Sequence, residues 1–600
     1  MDKRPTWQHC LAAIGGLLLI LVLNGCDSSS DGPGSAEAGR SDAMTVERDV
    51  AIPMRDSTVL RADIYRPPGD GPFPVLLYRT PYGKHYAVES YPTHRKAVER
   101  GYAVVLQDVR GRYASDGIFV PYRNEGRDGF DTIEWAATQS WSNGDVGTFG
   151  LSYPGAVQWL AALEGPPSLK AMAPAMTFSS PRNFFYMNGV FDLSWLPWIY
   201  LNIAPDARQR RQLPGPSTYE AASAVWESIG DEILSHVPLA ELPYLRDVAP
   251  YYFEWLDHPP EDPWWDWAEV RGRYNDVSVA VLNLSGWYDE AYGPEGAITN
   301  HNGLASSRRG TPPPRSHLIM GPWKHGVIET GERQVGDIDF GPRAGIDYDE
   351  VILRFFEEYL RDGRTGLASE SPVRYFIMGS NEWRESNAWP PEDAVTTSLC
   401  LGGAGVLGSC ETEGIQTSTT FDADPANPVM DPYDTFGPHD YSALEARDDL
   451  LTFDSELMPS DLTIAGNVVA SIFISCDCRD LDMWVRLQDV YPDGRAINLR
   501  SPGAEVLRTS YRDPSAGRQP LEPGRIYEIR LENLIVANTF RAGHRIRAQI
   551  SASFAPHLSR NLQTGESEVF SGESKVSRIT VHHDTDHRSS LHLPVLQGPD

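Results

Sequence analysis

Between residues 46 and 65 polar and apolar positions alternate, with Thr58, Leu60, Ala62 and Ile64 on one face and Val59, Arg61, Asp63 and Tyr65 on the other. A polar turn at Arg55-Asp56-Ser57 divides the stretch, so an antiparallel pair of strands is predicted. The alternation then gives way to short unbroken apolar runs at 74–78 and 102–106, which suit strands covered on both faces. Each run breaks into a polar loop, Arg79-Thr80-Pro81-Tyr82-Gly83-Lys84 after the first and Asp108-Val109-Arg110-Gly111-Arg112 after the second. Helical stretches at 94–101 and 128–138 separate the runs. Strands that alternate with helices predict a parallel sheet with right-handed crossovers. Similar runs at 277–284 and 316–320 break at Ser285–Glu290 and Gly321–Gly326, and residues 348–360 place Ile352, Phe355, Phe356, Tyr359 and Leu360 at helical spacing.

Two parts of the chain leave this pattern. Residues 172–267 lose the alternation and are rich in aromatics and proline, which predicts a helical insertion lying over the strand ends. Clustered tryptophans there serve either as packing or as the lining of an apolar pocket. Beyond Trp389-Pro390-Pro391 come short alternating segments, at 467–475, 483–490, 526–531 and 545–551, divided by turns such as Pro492-Asp493-Gly494 and Glu522-Pro523-Gly524; this predicts an all-β sandwich.

The stretch Gly147-Thr148-Phe149-Gly150-Leu151-Ser152-Tyr153-Pro154-Gly155 reads as strand, tight turn and helix, with a serine held between glycines. Such a turn pushes a serine hydroxyl into solvent at the carboxyl edge of a sheet, although Gly155 lies three residues after Ser152 where the usual G-x-S-x-G elbow has two. The same turn also serves as a plain strand-to-helix connection. Later strand ends give the serine partners: Asp289 follows one run and His325 the next, at the edge where open α/β sheets carry their sites. In that order His325 takes the proton from Ser152, and Asp289 orients the imidazole and stabilises its cation. Asp289 could instead cap a helix, with Glu290 as the acid in its place. The Tyr153 amide and the Tyr82 phenol are candidate donors to a tetrahedral oxyanion.

Composition narrows the partners. With 82 acidic against 52 basic residues in 600, the net charge of −30 repels nucleic acid and anionic lipid. No phosphate-binding loop, dinucleotide fingerprint or HExxH string occurs, so neither cofactor nor metal is implied. At the amino terminus Lys3 and Arg4 precede the apolar stretch 11–23 and then Asn24-Gly25-Cys26, a leader too short to span a membrane. It resembles a bacterial lipoprotein signal in which Cys26 is acylated, with ordinary secretion as the alternative. The expected localisation is therefore export, to the periplasm, the medium or a membrane surface through the lipid anchor alone. Outside the leader four cysteines remain, Cys400, Cys410, Cys476 and Cys478, an even number that suits an oxidising compartment. Cys400 and Cys410 flank a glycine-rich turn and could close a hairpin, whereas a bond between Cys476 and Cys478 is expected to be strained.

The strings YRTPYGK, DVRGRYASDG, GLSYPG, GWYDE and GPWKHG, followed by VRLQDVYPDGRA and FRAGHRIRAQIS, resemble in order the cocaine esterase and X-Pro dipeptidyl-peptidase family of serine hydrolases. The resemblance covers nearly all of the chain after the leader, and that family's G-x-S-Y-x-G elbow accounts for the displaced Gly155. It implies an α/β hydrolase with a helical cap insertion plus a C-terminal jelly-roll. The expected division is a signal peptide over 1–25, a flexible tether over 26–45, the hydrolase over 46–175 and 270–390, the cap over 176–269 and the sandwich over 391–600. By motif, Ser152 corresponds to the nucleophile, Asp289 to the acid, His325 to the base, and Tyr82 with the Tyr153 amide to the oxyanion hole. The family's substrates are aryl and alkyl esters, cephalosporin side-chain amides, α-amino acid esters and peptides with proline second. Members that bind a free amino group use clustered carboxylates near the acid, and here only Glu290 precedes Ala291 and Tyr292, leaving cap acids such as Asp192 or Glu254 for that role. Trp287, Trp195 and Trp198 are candidate walls of an apolar acyl pocket. The expected activity is hydrolysis of a small-molecule ester or amide through an acyl-enzyme on Ser152. An X-Pro dipeptidyl-peptidase is one alternative, and a surface binding protein with an inert hydrolase domain is another.

Overall fold

The computed structural model describes residues 44–307, 315–361, 363, 365–411, 417–501 and 505–597. The leader, most of the tether and the candidate acylated Cys26 lie outside the described residues. Ten strands form one sheet: β1 (Thr45–Pro53), β2 (Val59–Arg66), β3 (Phe73–Thr80), β4 (Ala103–Asp108), β5 (Ser142–Leu151), β6 (Leu169–Ala175), β7 (Ala280–Tyr288), β8 (Ser316–Lys324), β9 (Val373–Ile377) and β10 (Glu382–Ser386), in the order β1-β2-β4-β3-β5-β6-β7-β8-β9-β10. From β4 through β9 neighbours run parallel. The antiparallel pairings are β1 with β2, β2 with β4 and β9 with β10. This is the α/β-hydrolase sheet, and its parallel centre is buried on both faces, as unbroken apolar runs require.

Two helices illustrate how sequence sets the packing. Tyr348–Leu360 lays Phe356 and Leu360 on β5 so closely that a side chain at Gly147 would meet both rows at 2.7 Å. On the other face Tyr153–Leu163, apolar but for the hydrogen-bonded Gln158 and wholly buried, is wedged between the sheet and the helix Glu125–Ala137.

Between β6 and β7 the chain forms the helical cap, including Tyr219–Ser235, Pro250–Asp257 and a π-helical stretch Trp198–Ile203. Its centre is an aromatic cluster in which Trp195 stacks on Phe185 at 4.5 Å, with Trp255 and Trp265 around them. The carboxyl-terminal part is a twelve-stranded, largely antiparallel β structure dominated by the long strands Leu462–Cys476 and Tyr527–Phe540. It holds disulfides Cys400–Cys410 and Cys476–Cys478. In the second, the strand ends at Cys476 and the turn that follows sets the two Cα atoms 5.2 Å apart.

Candidate active site

Ser152 follows β5 directly at φ 70°, ψ −129°, a conformation that costs a non-glycine residue free energy and persists only where neighbours enforce it. The neighbours here are specific. The Ser152 amide donates to the Ala175 carbonyl at 3.0 Å, and its carbonyl accepts from Gly155 and Ala156 at 2.8 and 3.0 Å. A side chain at Gly150 would meet Pro154 at 2.5 Å, and one at Gly155 would meet the Ala175 carbonyl at 2.6 Å. The glycine is therefore required at 155 because the helix crosses the end of β6 there, which explains the unusual elbow spacing. Behind the turn, the buried Tyr153 hydroxyl donates to Glu125 at 2.8 Å and accepts from the Tyr122 amide at 2.9 Å, while Glu125 pairs with Arg79 at 2.8 Å.

Parallel pairing sets Tyr288 opposite Lys324, so Asp289 and His325 leave adjacent strand ends side by side. His325 Nδ1 lies 2.9 Å from Asp289 Oδ1, a carboxylate that also accepts from the amides of Ala291 and Tyr292 and from the Ser285 hydroxyl. Glu290 turns away from Nδ1, and its Oε2 accepts the backbone N–H of His325 at 3.0 Å. Geometry thus selects Asp289 over Glu290 as the partner of the imidazole. Burial disfavours the imidazolium, but the adjacent Asp289, with further help from Glu290 and Glu329, outweighs it and raises the His325 pKa above its ordinary value. Burial pushes the Glu290 carboxyl up to about 7, against the pull of His325.

Ser152 and His325 line one cleft of about 670 Å³, together with Tyr78, Tyr82, Tyr86, Tyr91, Leu151 and Trp198. The Tyr82 hydroxyl accepts the Trp198 indole N–H at 3.0 Å and interacts with the Ser152 side chain. Burial raises the pKa of this phenol, which keeps it a donor. Its loop is held by buried Arg112, which donates to the carbonyls of Pro81, Asn202 and Ile203 and faces Asp206 at 3.2 Å. Among the described residues no carboxylate lines this cleft, and no group of three or more His, Cys, Asp or Glu side chains converges as a metal site.

Of the three candidate pocket tryptophans only Trp198 lines the cleft. Trp287 is drawn into the core instead, donating to the Phe376 carbonyl at 2.8 Å and packing on Trp389, because β7 continues through it. Trp195 is buried in the cap's aromatic cluster. Asp192 faces the sandwich, in a backbone bridge with Leu558, and Glu254 is exposed on the cap. One residue escaped the sequence reading: Tyr292, whose phenol interacts with the Ser152 side chain. Its place three residues after the acid was the available signal.

Residues 56–327 match the model of the X-Pro dipeptidyl-peptidase (S15 family), and residues 365–592 match that of the X-Pro dipeptidyl-peptidase C-terminal non-catalytic domain. The chain is similar to cocaine esterase of Rhodococcus sp., with 33% identity over 588 residues, 92% of this chain and 99% of the relative. A putative Xaa-Pro dipeptidyl-peptidase of Streptomyces avermitilis is 25% identical over 354 residues, 54% of this chain and 44% of the relative. Among solved structures, an aminopeptidase from a marine sediment Thaumarchaeota archaeon superposes with a TM-score of 0.79 at 23% identity, covering 96% of this chain and all of that one. An α-amino acid ester hydrolase superposes at 0.72 with 24% identity, covering 94% and 98%.

Proposed function

The chain belongs to the cocaine esterase and X-Pro dipeptidyl-peptidase family of serine hydrolases, and on that premise we propose that it hydrolyses esters or amides of uncharged acyl groups through an acyl-enzyme on Ser152. The observation that carries this reading is a cleft with nucleophile and base on its wall and no carboxylate among its described lining residues. A dipeptidyl substrate brings a free ammonium group, which needs a carboxylate partner where water is excluded. Aromatic walls and neutral hydroxyls suit an uncharged acyl chain instead.

In this mechanism Ser152 Oγ attacks the acyl carbon while His325 Nε2 takes its proton, and Asp289 holds Nδ1–H and stabilises the imidazolium. The oxyanion accepts from the Tyr82 hydroxyl and the Tyr153 amide, and collapse expels the leaving oxygen or nitrogen with the proton from His325. Water then repeats the cycle on the acyl-enzyme. The test compares 4-nitrophenyl butyrate with Gly-Pro-4-nitroanilide on the purified chain. Faster turnover of the ester, fluorophosphonate labelling of Ser152, and loss of both in Ser152→Ala are expected. Faster cleavage of the anilide would establish the peptidase instead, and neither turnover nor labelling would leave a binding protein.

A further inference from the structure

We propose that Tyr292 is a further catalytic residue of this site, its hydroxyl donating a hydrogen bond to the leaving-group oxygen that His325 protonates; this rests on Ser152 being the nucleophile. Three observations converge on that hydroxyl. Polar interaction with the Ser152 side chain opposes the rise in its pKa, and it lies 3.1 Å from the Tyr122 hydroxyl. Its ring stacks over the His325 imidazole at 5.5 Å and, more tightly, against Phe184 at 4.2 Å. The Tyr292 amide donates to Asp289 Oδ1 at 3.2 Å, so the turn that places the acid places the phenol as well.

Sheet order brings the two phenols in from loops on opposite sides of β5. Tyr82 comes from the loop after β3, which pairs with one edge of β5, whereas Tyr292 and His325 come from the ends of β7 and β8, beyond the other edge. The acyl oxygen must face Tyr82 and the Tyr153 amide, so the departing group faces His325 and Tyr292. Tyr122 is fully buried, and either hydroxyl of the pair can donate; with Tyr122 as the donor, the Tyr292 proton is left for the leaving group. No proton leaves Tyr292: the Ser152 proton passes to His325 Nε2 and from there to the leaving oxygen, while the phenol lowers the charge on that oxygen as its bond to carbon breaks. Burial raises the pKa of this phenol far above its ordinary value, consistent with a donor that stays protonated.

Tyr292→Phe removes one oxygen and keeps both ring stacks. The experiment measures kcat/KM, which reports acylation, for butyrate esters whose leaving groups run from 4-nitrophenol to simple alcohols. A loss of about 10- to 100-fold is expected for alkyl esters, with little for the nitrophenyl ester, so that the dependence on leaving-group basicity steepens. Tyr122→Phe should shift the same plot in the same direction by less. Equal losses across the series, or none, in a variant that melts with the wild type would overturn the proposal, since packing alone does not discriminate between leaving groups. Fluorophosphonate labelling separates the two readings: wild type that neither labels nor turns over esters removes the Ser152 premise, whereas labelled Tyr292→Phe with an unchanged plot removes only the role of Tyr292.

Discussion

Asp289 and Glu290 are adjacent carboxyls that one turn sends to different atoms of the same histidine, Asp289 to Nδ1 and Glu290 to the backbone N–H. Only the first can fix the tautomer, so Asp289→Asn should lower kcat by ~10⁴-fold with little change in KM. Glu290→Gln acts differently. Burial pushes the Glu290 carboxyl up to about 7, the His325 pKa is raised, and an ionised Glu290 favours the imidazolium. The base works only when neutral, so activity falls as pH drops through the His325 pKa. Removing the Glu290 charge lowers that pKa, and the acidic limb of the kcat/KM profile should move to lower pH while the plateau changes little. An acidic limb that stays in place would exclude this coupling. The sequence order of Ser152, Asp289 and His325 was legible because each follows its strand directly. The choice between Asp289 and Glu290 was not, since both occupy the same strand end and only three-dimensional direction separates them. Tyr292 was missed because its place three residues after the acid ties it to Asp289 in sequence, and only the fold brings its ring over His325.

Elements were legible where their pattern is their own and obscure where a neighbour dictates it. Tyr348–Leu360 was read to its ends from one amphipathic face. β6 was missed because Lys170 and Pro174 interrupt a strand that the parallel partners on both sides hold in place, and β10 because an edge strand is polar, as in Glu382-Trp383-Arg384-Glu385-Ser386. β7 runs past its apolar stretch through Gly286, where any side chain would collide with the Trp323 carbonyl of β8. The π-helical stretch Trp198–Ile203 has no sequence signature, yet it joins cap to oxyanion loop through two contacts. Trp198 donates to Tyr82, and Arg112 binds the carbonyls of Asn202 and Ile203 together with that of Pro81. Replacing Arg112 by Met would leave those three carbonyls and Asp206 buried without their cation. A loss of about 3–5 kcal/mol is expected in urea unfolding, with a fall in kcat as the Tyr82 loop loosens. Unchanged stability with unchanged kcat would show that the cap does not depend on this lock.

At the scale of the whole molecule the sandwich holds the cap as well as the hydrolase. Backbone hydrogen bonds cross from cap to sandwich at Leu193 to His557, Ser559 to Phe191, Leu239 to Glu568 and Ala240 to Val569. They flank Asp192, which is buried in the seam with one carboxylate oxygen on the Ser194 amide and His557 nearby. Burial raises its pKa from the ordinary carboxylate value to about 6. A raised acid holds its proton more tightly in the folded chain than in the unfolded one. Its presence therefore costs nothing at low pH, and the cost grows as pH rises from about 4 through 6 and then stays constant. The shift corresponds to something on the order of 3 kcal/mol above that window. Asp192→Asn keeps an acceptor for the Ser194 amide and removes the charge, so its melting temperature should exceed that of wild type at pH 8, with the difference shrinking toward pH 4. The same variant separates seam from site. A carboxylate that recognised a substrate ammonium would take Gly-Pro-anilide turnover with it when neutralised, whereas a residue of the cap–sandwich seam leaves ester turnover intact and changes only how firmly the cap is held.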